Sequence, residues 1–193
     1  MIRLQELGKK DYFTLDEAAY DLGIKPSSAR VFCSRYAQKG LLIRLKKNLY
    51  TTAWRWDNMK QPDFFKIANI LQVPSYISLM TALAYHEVTT QVQQGYFESI
   101  AQKRTVTYSV RDHVFQYTKI AGRYYGGFVR KGGIFIAQAE KAFLDAAYLY
   151  SFGKYRFDKD SLDLNRLEMK RLKSLLRDYP PKTKETVRRL CGI

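Results

Sequence analysis

Between Thr14 and Gly40 the chain is punctuated so closely that one local arrangement fits it best: two helices separated by a short turn. Thr14-Leu15-Asp16-Glu17 has the form of a capping box. The Thr14 side chain accepts from the backbone N–H of Glu17, and the Glu17 carboxylate accepts from the N–H of Thr14. The helix that opens there is expected over roughly Leu15 to Leu22, with Leu15, Ala18, Ala19 and Leu22 turned inward. Gly23 ends it at a position where positive φ costs a glycine little. Pro26 suits the first position of a second helix, where the missing N–H would have had no intrahelical partner. That helix is expected to run to about Gln38 and to stop at Gly40. Its buried stripe is Ala29, Cys33 and Tyr36 with Phe32 beside them. Ser27, Ser28, Arg30, Val31, Ser34, Arg35 and Gln38 are left on or near the open face.

Leu41 to Leu45 then leads through Lys46-Lys47-Asn48 into Leu49-Tyr50-Thr51. This reads as a β-hairpin whose tip holds two lysines and an Asn that tolerates the left-handed region. Between Asp21 and Asp57 the sequence has eight Lys or Arg residues (Lys25, Arg30, Arg35, Lys39, Arg44, Lys46, Lys47 and Arg55) and no Asp or Glu. A helix-turn-helix with a cationic hairpin beside it is the winged arrangement. Its second helix enters a major groove, where Arg forks onto guanine and Ser meets backbone or base, and its wing touches phosphate. The expected DNA contacts are Arg30, Ser34 and Arg35 in the groove and Ser27 and Ser28 on phosphates at the helix start. Lys46 and Lys47 grip from the wing, and Lys25, Gln38, Arg44 and Asn48 complete the surface. The competing reading is a solvated turn on a small helical domain.

The whole chain supports a polyanion partner without locating it. Its 193 residues carry a formal net charge of +15, and basic residues exceed acidic ones in every third of the sequence. The 46% hydrophobic content is enough for packed cores. The two cysteines, Cys33 and Cys191, make neither a disulfide framework nor zinc-ligand spacing. The N-terminal residues do not read as a signal peptide, and no apolar run is long enough for a bilayer, so a cytoplasmic protein without a membrane partner is expected.

Trp54-Arg55-Trp56-Asp57-Asn58 is read as a hinge, with the tryptophans docking one domain on the other. The expected division is a DNA-binding domain over 1–58 and a C-terminal domain over 59–193. In the second region, residues 64–71 suggest a short amphipathic helix. Pro74-Ser75 precede another helix through Ile77, Met80, Ala84 and Tyr85. From Tyr96 the texture becomes β, with strands expected over 97–101, 105–110, 114–120 and 132–137. A helix is expected from about Gln138 to Tyr150. From Leu162 onward a further amphipathic helix is expected up to the break at Pro180-Pro181, followed by a basic terminal helix. The fold class is thus α+β: a winged helix-turn-helix followed by a mixed α/β domain with a helical tail from about residue 160.

Gly40 to Tyr50, with Lys47-Asn48-Leu49-Tyr50 at the position where the family carries Arg-Gly-hydrophobic-Tyr, resembles the end of the winged-helix domain of AbiEi-type antitoxins. Tyr76 to His86 resembles the helix that opens that family's C-terminal domain. Glu140-Lys141-Ala142-Phe143-Leu144-Asp145 resembles its Glu-Lys-Ala-hydrophobic-hydrophobic-Asp helix. The resemblance implies an antitoxin of an abortive-infection toxin–antitoxin pair. Such a protein represses its own operon through double-stranded promoter DNA bearing inverted repeats, and it counters a nucleotidyltransferase-like cognate toxin.

An enzyme is not expected, and neither a cofactor nor a bound metal. His86 and His113 are isolated, with no partners at ligand spacing. Glu140 and Asp145 point apart on a helix, while Lys141 pairs with Asp145 at i,i+4. The rivals are a winged-helix repressor whose second domain senses a small ligand and a nuclease that the winged helix delivers to DNA.

Overall fold

The Thr14 capping box closes in the structure. Thr14 Oγ1 accepts from the Glu17 N–H at 3.2 Å, and the Glu17 carboxylate accepts from the Thr14 N–H at 2.7 Å. In this computed structural model residues 2–91 and 93–192 are described. They form a mixed α+β protein with two sheets, divided into compact units over Met1–Ile67 and Ala68–Ile193.

The first unit begins with α1 (Ile2–Gly8), β1 (Phe13–Thr14) and α2 (Leu15–Leu22). Gly23, at φ 62°, ends α2 by donating to the carbonyls of Ala19 and Tyr20. Helix α3 (Pro26–Gln38) follows with Pro26 in its first turn, then the hairpin of β2 (Leu42–Lys46) and β3 (Leu49–Thr52). The three strands pair antiparallel in the order β1-β3-β2. Leu7, Phe13, Leu15, Ala18, Cys33, Leu42 and Tyr50 form the core, with Phe32 and Tyr36 packed against it. Burying each large apolar side chain contributes about 1.5–3 kcal/mol, which sets the inward faces of α2 and α3.

Helix α4 (Ala53–Asp57) and helix α5 (Gln61–Leu71) follow. The division between units falls inside α5, past the tryptophan segment. Trp56 is buried edge-on against Phe64 within the first unit, whereas Trp54 is 68% exposed. Trp54 is therefore exposed rather than docked, and the Trp56–Phe64 contact joins two residues of the same unit. Arg55, the last cation of the anion-free stretch, pairs with Asp11 at 2.6 Å and Asp63 at 3.0 Å. Lys66 also reaches Asp11, at 2.9 Å. This network ties the segment before β1 to α4 and α5.

The second unit opens with β4 (Ser75–Ile77), a buried strand where sequence pattern suggests a helix. The helix, α6 (Leu79–Tyr85), starts only after it. Strands β5 (Tyr96–Ala101), β6 (Val106–Val110), β7 (His113–Lys119), β8 (Phe128–Lys131) and β9 (Ile134–Ala137) complete a sheet ordered β6-β7-β5-β4-β9-β8. β5 runs parallel to β7 and β4 parallel to β9, the other neighbours being antiparallel. β8 is not anticipated from sequence, because residues 128–131 are mostly exposed edge positions. Helix α7 (Ala139–Ser151) carries the Glu140–Asp145 segment. The amphipathic region from Leu162 is broken by short 3-10 turns, so helix α8 spans only Met169–Leu176, ahead of α9 (Pro181–Cys191).

A buried polar cluster holds α7 in this unit. Lys141 Nζ donates to the Tyr124 carbonyl at 2.8 Å, to the Tyr179 hydroxyl at 2.9 Å and to Asp145 Oδ1. Asp145 Oδ2 accepts from Tyr76 at 3.0 Å and Ser78 at 2.8 Å. Gly127 borders the lysine, with φ 69°, and a Cβ built there would stand 2.9 Å from Lys141 Cγ. Only glycine meets both demands.

Candidate nucleic-acid interface

The open face of α3 follows from its buried stripe. With Ala29 and Cys33 buried, residues at i+3 and i+4 steps on the other side turn to solvent. Ser27, Ser28, Arg30, Ser34, Arg35 and Gln38 are all exposed, as are Lys25 and Val31. Phe32 and Tyr36 stack at 4.2 Å between centroids on the inner side, and this fixes the helix rotation. Burial pushes the Cys33 thiol up to about 11, consistent with an apolar filler rather than a reactive group.

The start of α3 carries no acidic side chain, and Lys25, its N-cap residue, makes no side-chain cap. The first-turn N–H groups of Ser27 and Ser28 therefore face outward at the positive end of the helix dipole, next to two hydroxyls. In the hairpin, Arg44 pairs with Tyr50 and Lys46 with Leu49 across a β-bulge, which turns the tip. Asn48 takes φ 62°, as the turn requires. Arg44, Lys47 and Asn48 are exposed. Lys46 is half-buried, and burial lowers its pKa.

Among the described residues, Lys25, Arg30, Arg35, Arg44 and Lys47 take part in no ion pair. Of the acids on α2, Glu17 is held in the capping box and Asp21 pairs with Lys10 at 2.6 Å, while Asp16 is exposed. Like charges left together without neutralisation repel, and a polyanion relieves that repulsion. The structure thus brings ten of the expected site residues onto exposed positions of one unit and sets Lys46 partly apart. Arg55 belongs to the Asp11–Asp63 network and not to this surface. Sequence reasoning leaves out Tyr20 on α2, which is 88% exposed. Its signal is its place opposite Ala18 and Leu22, where a large aromatic has no core to fill.

The two sheets and their helices define the class of this chain as mixed α+β. No family model matches it, and no curated protein matches it. Among solved structures it is similar to the crystal structure of the RV2827C protein from Mycobacterium tuberculosis. That likeness has a TM-score of 0.64 over 98% of this chain and 74% of that one, at 11% sequence identity. Among the described residues no helix is long and apolar enough to cross a membrane, and no group of three or more His, Cys, Asp or Glu is placed to hold a metal.

Proposed function

We propose that the chain is a winged-helix DNA-binding protein in which α2 and α3 form the helix-turn-helix and β2–β3 the wing. The observation that carries this reading is the exposed, carboxylate-free surface of α3 and the hairpin tip. Its five unpaired cations flank a row of hydroxyl and amide side chains. Arg30, Ser34 and Arg35 read base edges in the major groove. The Ser27 and Ser28 amides and hydroxyls hold phosphate, as do Lys25, Arg44, Lys47 and the less exposed Lys46. Gln38, the last residue of α3, and Asn48, in the hairpin turn, add amide side chains.

The resemblance to AbiEi-type antitoxins supports a further step. The protein represses its own toxin–antitoxin operon through inverted repeats and counteracts a nucleotidyltransferase-like toxin through the second unit, in the cytoplasm. One of the three segments that carry this likeness, Glu140–Asp145, supplies the buried Lys141–Asp145 pair that anchors α7.

The test is an electrophoretic shift on the duplex upstream of the protein's own gene. Arg30→Ala and Arg35→Ala should each cost about 1–3 kcal/mol and relax base choice at the contacted positions. Lys47→Ala should weaken all sequences alike and reduce the salt slope by roughly 0.9. Unchanged affinity in the Arg30→Ala/Arg35→Ala double variant removes α3 from the account.

A further inference from the structure

In the second unit, β5 carries an acid where a strand covered on both sides should not. Glu98 is 3% exposed, yet it forms no ion pair among the described residues. Both of its oxygens accept from the Tyr155 hydroxyl, at 2.8 and 2.9 Å, and Oε2 also accepts from the Met80 N–H at 3.1 Å. The Thr81 N–H contacts the carboxylate as well, and a carboxylate can accept about four hydrogen bonds, so acceptor capacity remains. The Met80 N–H points at the carboxylate because Leu79 adopts φ 55°, a left-handed conformation that a non-glycine residue keeps only when its surroundings enforce it.

Glu98 lines an open cleft of about 600 Å³, together with Tyr96, Tyr155 and Phe157. Arg156 lines the same cleft, is exposed, and pairs with no acid among the described residues. The other acid at the rim, Asp158, is already engaged, accepting from Gln91 Nε2 at 3.2 Å and from the Asp160 N–H at 3.0 Å. The cleft thus offers a buried carboxylate with no cation paired to it, aromatic faces beside it, and an unpaired guanidinium. Its volume falls in the range of small-ligand sites.

Each feature selects part of one ligand. The carboxylate, when ionised, asks for an N–H donor. The rings ask for a flat π system. The arginine asks for an oxyanion, which its planar fork holds in two contacts. A bare ammonium would leave Arg156 repelled, and a simple anion would be repelled by Glu98. We propose that this cleft binds a nucleotide, with the base amine donating to Glu98, the base lying against the aromatic walls and a phosphate meeting Arg156. The ligand is either a free mononucleotide or an unpaired base in a nucleic-acid strand, since both present the same groups. The inference concerns the second unit and stands or falls separately from duplex binding by α3.

The experiment uses the full chain carrying Arg30→Ala and Arg35→Ala, so that the first unit contributes little polyanion binding. CMP, AMP, GMP and UMP are titrated by calorimetry, alongside a short single-stranded oligonucleotide of deoxycytidines. At least one amine-bearing nucleotide should bind saturably, and more tightly than UMP, whose base has no exocyclic amine. Arg156→Ala, at an exposed position, should weaken that nucleotide about tenfold and leave the matching nucleoside unchanged. Glu98→Gln keeps acceptors for Tyr155 and Met80 but turns an N–H₂ toward the ligand, and should abolish the preference over UMP. Binding of the oligonucleotide alone, sensitive to both variants, assigns the site to an unpaired base; competition by CMP assigns it to the free nucleotide. The proposal is overturned if neither nucleotides nor oligonucleotide saturate, if UMP binds equally well, or if agmatine binds through Glu98 while nucleotides do not.

Discussion

Lys141→Met tests whether the second unit depends on its buried ion pair. Lys141 is 3% exposed and Asp145 fully buried. The substitution keeps a chain of similar length but removes all three Nζ donations, to Tyr124, Asp145 and Tyr179. Asp145 is then left with Tyr76 and Ser78 on Oδ2 alone. Breaking a buried pair by removing one partner costs about 3–5 kcal/mol, because an uncompensated charge remains. The methionine offsets this by about 1 kcal/mol at most through its apolar packing. Against a typical domain stability of about 5–15 kcal/mol, the loss is large. It corresponds to a fall in Tm on the order of 10–15 °C. The assay is urea unfolding followed by circular dichroism, with tryptophan fluorescence reporting the first unit, where both Trp54 and Trp56 lie. Adding Asp145→Asn removes the stranded charge while keeping an acceptor, so the double variant should be less destabilised than the sum of the singles by about 2 kcal/mol. A cost below about 1 kcal/mol for Lys141→Met, or strict additivity in the cycle, refutes the reasoning.

Glu98 makes stability depend on pH near neutrality. Burial pushes its carboxyl up from 4.5 to about 7, against the lowering effect of Tyr155 and the Met80 and Thr81 N–H contacts. A raised acid penalises the fold once ionised, so stability should be full below pH 4.5 and fall by about 3 kcal/mol as pH rises to 7. Glu98→Gln should flatten that slope in thermal melts, and a wild-type profile without it sinks the assignment. Asp11 has the opposite sign: burial works to raise its carboxyl, but hydrogen bonds from Lys66 and Arg55 outweigh this and hold it below 3.8. Its contribution is present above pH 3.8 and lost as pH falls through the lowered value. Asp11→Asn should therefore lower stability at neutral pH and leave it nearly unchanged in strong acid, as read by acid titration of tryptophan fluorescence. Gly127→Ala should destabilise by about 1–3 kcal/mol, since its Cβ meets Lys141 in a left-handed conformation; a neutral result in urea unfolding contradicts the close packing there.

The parts of this protein that sequence reveals are those whose cause is local. Thr14, Gly23, Pro26 and Gly40 each act on the backbone within a turn of their own position, so α2 and α3 begin and end where the pattern places them. The outward face of α3 follows from the same spacing, and with it the exposure of Arg30 and Arg35. The second unit depends on partners far apart in the chain. Ser75–Ile77 shows no alternation because all three residues are buried between β5 and β9, so period alone cannot distinguish it from a helix start. The pairing of Lys141 with Asp145 is legible at i,i+4, but Tyr76, Ser78, Tyr124 and Tyr179 reach it only through the fold. Glu98 is the sharpest case. In a β-rich stretch an acid reads as the solvent side of a strand, which is correct only at an open face. Here the left-handed turn at Leu79 and the return of Tyr155 close over it. The expensive charge is therefore created by tertiary structure, and a site built on such a charge leaves no signature in the residues beside it.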